Sequence, residues 1–262
     1  METALVTGAS GGIGLEIARV LAQNRFNLVL VARRQTELNQ IKDELIAKYG
    51  ITVKVIAKDL SLISSCEEIY KELQEENIKI DVLVNNAGFG DYGFFDESDW
   101  NKDYRMIELN IASLTFLTKL FINEMTKRKH GRILNVSSTA AFQPGPLMAV
   151  YYASKAYVQS FSEAIANELK GKGVTVTALC PGATVSGFQK AASLESSRLV
   201  KGRKLPTAKE VARFGFEAMM KGKTVAIHGT LNKLLAFSVR FFPRDLVSAA
   251  TRFIQEKTKE KN

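Results

Sequence analysis

The chain has 262 residues, 46% of them hydrophobic and 24% charged, ordinary for a globular protein and long enough for one large domain around a buried sheet. Its net charge of +9 comes wholly from residues 201–262, which hold 14 Lys/Arg against 5 Asp/Glu; a neutral core with a basic appendage argues against a nucleic-acid protein. Cys66 and Cys180 stand far apart with no CxxC, so a disulfide framework or thiolate metal site is not expected and a reducing, cytoplasmic setting fits.

The first strand-like run, Ala4-Leu5-Val6, leaves no room for a leader peptide, and no apolar run is long enough to span a membrane. Strand patterns at 3–8, 26–32, 52–59, 81–88, 131–138, 173–182 and 224–229 alternate with helix patterns. The helices are expected at 12–24, 35–48, 64–76, 100–127, 151–170 and 208–220. The strands are apolar without alternation, as in a parallel sheet covered on both faces. Strand–helix repetition with short links predicts an α/β fold, a Rossmann-type doubly wound parallel sheet in a single domain over 1–229. The least regular stretch, 183–206, follows a strand end and is read as a substrate flap. Residues 230–262 form a basic helical extension of the same domain.

The sequence TGASGGIG (7–14) joins the first strand to the first helix. Its glycines let a phosphate approach backbone N–H groups at a helix N-terminus, although a tight turn alone would also use them. Asp59-Leu60, Asn85-Asn86-Ala87-Gly88, Ser137-Ser138 and Pro181-Gly182 end later strands, and Tyr151 and Lys155 open a helix. These residues fall at the sheet edge where doubly wound folds bind ligands. In YYASK, Tyr151 and Tyr152 stand four and three residues before Lys155, and either phenol can lie near the ammonium.

Six ordered motifs over residues 3 to about 190 now stand together: TGxxxGxG, DL, NNAG, the helical Asn110, NVSS before YxxxK, and PG. With them the sequence resembles the short-chain dehydrogenase/reductase family in its compact single-domain form. The texture of VARR, NNAGFG and CPGATVSGF is similar to DltE-like and ketoacyl-reductase-like bacterial members. The resemblance selects Tyr151 over Tyr152, because the family's lysine follows its tyrosine by four residues. It implies a catalytic set of Asn110, Ser138, Tyr151 and Lys155. Tyr151 would exchange a proton with a carbonyl or alcohol oxygen, and Ser138 would donate a hydrogen bond to that oxygen. Lys155, with the positive charge of the nicotinamide, would lower the phenol's pKa and would also hold the ribose, while Asn110 would hold a water linking Lys155 to solvent. Ser137, by strand alternation, would face the other way.

The same resemblance implies a nicotinamide cofactor on Gly8, Ser10, Gly12, Ile13, Gly14, Asp59, Leu60, Asn86, Ala87, Gly88, Tyr151, Lys155, Pro181, Gly182 and Thr184. At the end of strand two, Ala32 stands where an acid would favour NAD. Arg33 and Arg34 follow and suit a 2′-phosphate, so NADP(H) is the expected cofactor. The expected function is hydride transfer between NADP(H) and a small carbonyl or secondary alcohol. The alternative is an inactive NADP(H)-sensing protein on the same fold. A homodimer or homotetramer built on helices 100–127 and 151–170 is expected by resemblance.

In the tail, Leu231, Leu234, Leu235, Ser238 and Phe242 recur at helical spacing before Pro243. Leu246, Ala249, Ala250 and Phe253 make a second stripe among Arg244, Arg252, Lys257, Lys259 and Lys261. Three readings stay open: packing on a subunit or pocket, peripheral docking on an anionic membrane, or steering of an anionic substrate or carrier.

Overall fold

The computed structural model describes residues 1–192, 197–198 and 204–256, without the side chains of Lys190 and Ala191. Its strands are β1 (Thr3–Thr7), β2 (Asn27–Ala32), β3 (Val53–Ala57), β4 (Val82–Asn85), β5 (Gly131–Val136), β6 (Val174–Cys180) and β7 (Val225–Ile227). They form a seven-stranded parallel sheet in the order β3-β2-β1-β4-β5-β6-β7. The order reverses between β1 and β4, which opens a crevice at their C-terminal ends.

Each strand is bounded by a helix that covers one face. Helices α1 (Gly12–Gln23) and α2 (Gln35–Tyr49) lie on one side, joined there by α8 (Ala208–Met220). Ile17, Leu21, Leu38 and Val211 bury against Val6, Leu30 and Leu134 of the sheet. Helices α3 (Ile63–Glu75) and α5 (Leu114–Arg128) cover the other side, and α6 (Ala149–Glu168) packs on β6. Ile69, Leu73, Leu117 and Phe121 meet Leu5, Leu83 and Ile133 there. Burial on both faces is why the strands lack polar alternation. Gly50 ends α2 in the left-handed region at φ 62°, and Thr207 with Glu210 forms a capping box that starts α8.

The expected continuous helix at 100–127 is instead three pieces. α4 (Trp100–Ile107) runs into a wide π turn at Glu108–Ser113 before α5 resumes. Such a bulge inserts extra backbone into a helix and is frequent at functional sites; here it carries Asn110.

A short helix, α7 (Phe188–Ala191), begins the expected flap, while positions 193–196 and 199–203 of that flap lie outside the described residues. The tail forms α9 (Thr230–Ser238) and α10 (Arg244–Gln255), separated at Pro243 as its sequence predicts. Within the chain, however, the apolar stripes are not the packed faces. Ala236, Thr251 and Gln255 are buried, whereas Leu231, Leu234, Leu246 and Phe253 are exposed. Lys257, Lys259 and Lys261 lie outside the described residues. Among the described residues no helix is long and apolar enough to cross a membrane.

Candidate functional site

The glycine turn is held by close approach to the β4 end. Gly8 and Gly12 take φ of +65° and +56°, where side chains are strained. A Cβ on Gly8 would stand 2.7 Å from Asn86 Nδ2, and one on Gly14 would stand under 3.0 Å from both Asn86 Nδ2 and the Gly8 carbonyl oxygen. Asn86 Nδ2 donates to the Thr7 carbonyl at 2.9 Å, and Thr7 Oγ1 accepts from the N–H groups of Asn86 and Ala87. Thr7 therefore ties the β1 and β4 ends together. Its place directly before Gly8 was the one signal of this role in the sequence.

Arg34, directly before α2, is exposed, yet its side chain reaches back to the glycine turn. Its guanidinium donates to both the carbonyl and the hydroxyl of Ser10 at 3.2 Å and pairs with Glu37. Arg33 is more exposed and lies 3.9 Å from Asp59. A cavity of about 500 Å³ opens between these groups, lined by Gly8, Ser10, Ala32, Arg33, Arg34, Asp59, Leu60, Ala87 and Gly88. Lys58, Ser61, Phe89, Lys102, Arg105 and Leu109 complete the wall, and of these Lys58, Lys102, Arg105 and Leu109 were not singled out by sequence. A second cavity of about 490 Å³ lies at the opposite, N-terminal edge of the sheet, among Thr3, Asn27, Lys54 and Arg128. It has none of the predicted residues.

Ile13 sits half-buried in the first turn of α1 behind the glycines. Pro181, Gly182 and Thr184 follow β6. Thr184 Oγ1 donates to the Gly182 carbonyl, and a Cβ on Gly182 would meet Asn232 of α9. Gly12 faces Ser186, so the start of the flap region reaches the glycine turn.

The polar set stands at the ends of β4, β5 and the start of α6. Tyr151 is buried beside Ser138, whose hydroxyl donates to the Pro181 carbonyl at 3.4 Å and accepts from the Ala140 N–H. Lys155, one turn further along α6, has its Nζ 5.7 Å from the Tyr151 ring centre and donates to the Val136 carbonyl at 2.9 Å. Asn110 donates to the Phe89 carbonyl and to Ser154 Oγ, and accepts from Phe89 N–H. Gly88 is closed between Asn110 and Lys155. Ser137 turns away, as alternation predicts, and donates to the Lys155 carbonyl. Ser154 is a further anchor that sequence reading passed over.

Burial dominates the titration of this cluster. It pushes the Tyr151 phenol up to about 12, opposed only by the Ser138 hydrogen bond. It pushes Lys155 down from 10.5 to about 8. The expected lowering joins Lys155 to the positive charge of the nicotinamide; the protein groups alone raise the phenol, and desolvation is the largest cause. The Lys155 donor is aimed at a backbone carbonyl. Cys180 is likewise raised to about 12 by burial, next to Gln159, and is no nucleophile.

Tyr152 packs where a wall residue should: its ring fills the space above Gly145, buried and edge-on to Tyr151 at 6.1 Å. Around Tyr151 gather Phe89, Tyr92, Met106, Met148 and Phe188, the last with its ring centre 5.2 Å away. Of the aromatic run near 89–100, Phe89 and Tyr92 pack against this cluster, while Phe94, Phe95 and Trp100 are exposed.

A family model described as short chain dehydrogenase matches residues 2–196. The very-long-chain 3-oxoacyl-CoA reductase of Anas platyrhynchos is 38% identical over 185 residues, covering 68% of this chain and 58% of that protein. The 17-beta-hydroxysteroid dehydrogenase type 3 of Mus musculus is 37% identical over 185 residues, covering 69% and 59%. The chain therefore spans less than two thirds of the length of these relatives. A short-chain dehydrogenase from Sphingobium yanoikuyae, solved in complex with NADPH, superposes with a TM-score of 0.82 at 28% identity, covering 92% of this chain and 94% of that one.

Proposed function

The chain belongs to the short-chain dehydrogenase family, and on that premise we propose that it is an NADP(H)-dependent oxidoreductase acting on a carbonyl or secondary alcohol, with Tyr151 as general acid and base. The observation that carries this reading is the buried Tyr151, set beside Ser138 and one helical turn before Lys155, whose Nζ lies 5.7 Å from its ring centre. When bound, the nicotinamide supplies or accepts the hydride. In reduction Tyr151 gives its proton to the carbonyl oxygen, and Ser138 donates a hydrogen bond to the same oxygen as charge develops there. Lys155 carries the nearby positive charge and, with Asn110 behind it, the path by which the phenol is reprotonated.

The residues fit a dinucleotide. Gly8 and Gly14 leave no room for a Cβ, so backbone N–H groups stay open to a phosphate at the α1 N-terminus. Ala32, Arg33 and Arg34 with Ser10 favour a 2′-phosphate over a bare ribose. The apolar wall of Phe89, Met148, Tyr152 and Phe188 suits a lipophilic ketone, in keeping with the names of the 3-oxoacyl and hydroxysteroid relatives. We carry assembly as a homodimer or homotetramer through α5 and α6 as part of the same proposal.

The test is an NADPH-coupled panel of keto-steroids, 3-ketoacyl thioesters, sugars and simple aldehydes. Turnover is expected with the first two classes and lost in Tyr151→Phe with NADPH binding retained. NADPH binding without oxidation across the whole panel would overturn the enzymatic reading.

A further inference from the structure

We propose that α9 and α10 form a docking surface for the anionic face of a phospholipid bilayer. Leu231, Leu234, Phe237, Phe241, Leu246 and Phe253 are each more than half exposed, although both helices are well formed. Runs of exposed apolar groups this dense mark an interaction surface.

The charges decide what covers it. Lys233, Arg240, Arg244 and Arg252 lie among these apolar groups, against Asp245 and Glu256. The acid Glu256 is already paired with Arg198 and Arg252. The Arg240 guanidinium lies 5.8 Å from the Phe237 ring and that of Arg252 5.6 Å from Phe94, so cations and rings interleave. A second copy seated face to face would set one basic array against an identical one, because a two-fold interface repeats the same surface. An anionic bilayer takes the rings into its acyl boundary and the cations at its headgroups.

The surface also adjoins the candidate site. Arg252 covers Phe94, on the loop that continues back to Gly90, and a Cβ on Gly90 would touch Tyr151 and Phe188. Docking would therefore bring the apolar cluster around Tyr151 near the bilayer, where lipophilic ketones reside. That consequence rests on the reductase reading; docking itself does not.

The test is co-sedimentation of the full-length protein with vesicles of phosphatidylcholine alone or mixed with phosphatidylglycerol. Binding to the anionic vesicles at least about tenfold stronger is expected, from roughly 1 kcal/mol per basic residue at such a surface. It should fall as salt rises from about 0.1 to 1 M, which shortens screening from about 10 to 3 Å. Leu234→Glu with Phe241→Glu, and separately Arg240→Glu with Arg244→Glu, should each abolish most of it. NADPH binding by both variants reports that they fold; should the first fail to fold, the charge-reversal variant decides. Equal binding to both vesicle types, or unchanged binding by the charge-reversal variant, would overturn the proposal. So would a wild-type oligomer that ignores vesicles and falls to monomer in Leu234→Glu with Phe241→Glu, since the face would then be covered by a second copy.

Discussion

Replacing Lys155 by methionine should make the protein more stable while removing turnover. Lys155 is buried in α6, and its Nζ donates to the Val136 carbonyl at 2.9 Å. Burial lowers its pKa from 10.5 to about 8. At about 1.4 kcal/mol per tenfold, that gap corresponds to roughly 3 kcal/mol of destabilisation at pH 7. Methionine has similar length and no charge, but it leaves the Val136 carbonyl without its donor, which offsets about 1 kcal/mol. The net gain is about 2 kcal/mol, or roughly 4–8 °C in Tm for a domain of this size. The pH dependence has a definite sign. Because the folded pKa lies below the unfolded one, between about pH 8 and 10.5 the unfolded chain holds a proton that the folded chain has released. Wild type therefore gains stability across that window, and the variant's advantage shrinks there. The assay is urea unfolding of both proteins at pH 7 and pH 10, read as the difference between them. A variant less stable at pH 7, or an advantage undiminished at pH 10, would refute the reasoning.

Tyr151→Phe should lower kcat by about 10²–10⁴-fold with the NADPH Kd little changed, while Tyr152→Phe keeps most activity; the reverse pattern would reassign the acid. Ala32→Asp with Arg33→Ala should shift the NADP/NAD ratio of kcat/KM toward NAD by about tenfold or more, since a charged hydrogen bond is worth roughly 1.5–3 kcal/mol. An unchanged ratio counts against the arginine site. Gly14→Ala should weaken NADPH binding sharply and destabilise by roughly 1–3 kcal/mol, because its Cβ would stand under 3.0 Å from Asn86 Nδ2 and the Gly8 oxygen. Normal NADPH affinity in that variant, by fluorescence titration, would show that the turn does not cradle the phosphate.

Most of the sheet and its order of helices is legible in the sequence, because burial on both faces writes itself as unbroken apolar runs such as Leu28–Ala32. Asn86, Ser138 and Pro181 are legible for another reason: they stand just past strand ends, where the apolar run stops and chemistry can begin. What sequence could not give is the neighbour of a neighbour. Ser154 anchors Asn110 only because a π turn shifts Asn110 out of helical register, and no residue pattern marks that turn. The Tyr151 pKa depends on how deeply the folded chain buries the phenol, which no residue pattern states.

The tail marks the same boundary more sharply. Period 3.6 in Leu231, Leu234 and Leu235 identifies a helix with an apolar side, but the period carries no information about what that side meets. The answer depends on how much core surface is still open when the tail arrives. By then α1, α2 and α8 cover one face of the sheet, and α3 and α5 the other. Ala236, Thr251 and Gln255 are the buried anchors among the described tail residues, and the large apolar side chains Leu231, Leu234, Leu246 and Phe253 turn outward. An apolar stripe left over after a core is complete is therefore a statement about a partner. On the proposed docking, the basic groups interleaved with it, Lys233, Arg240, Arg244 and Arg252, match a negatively charged partner.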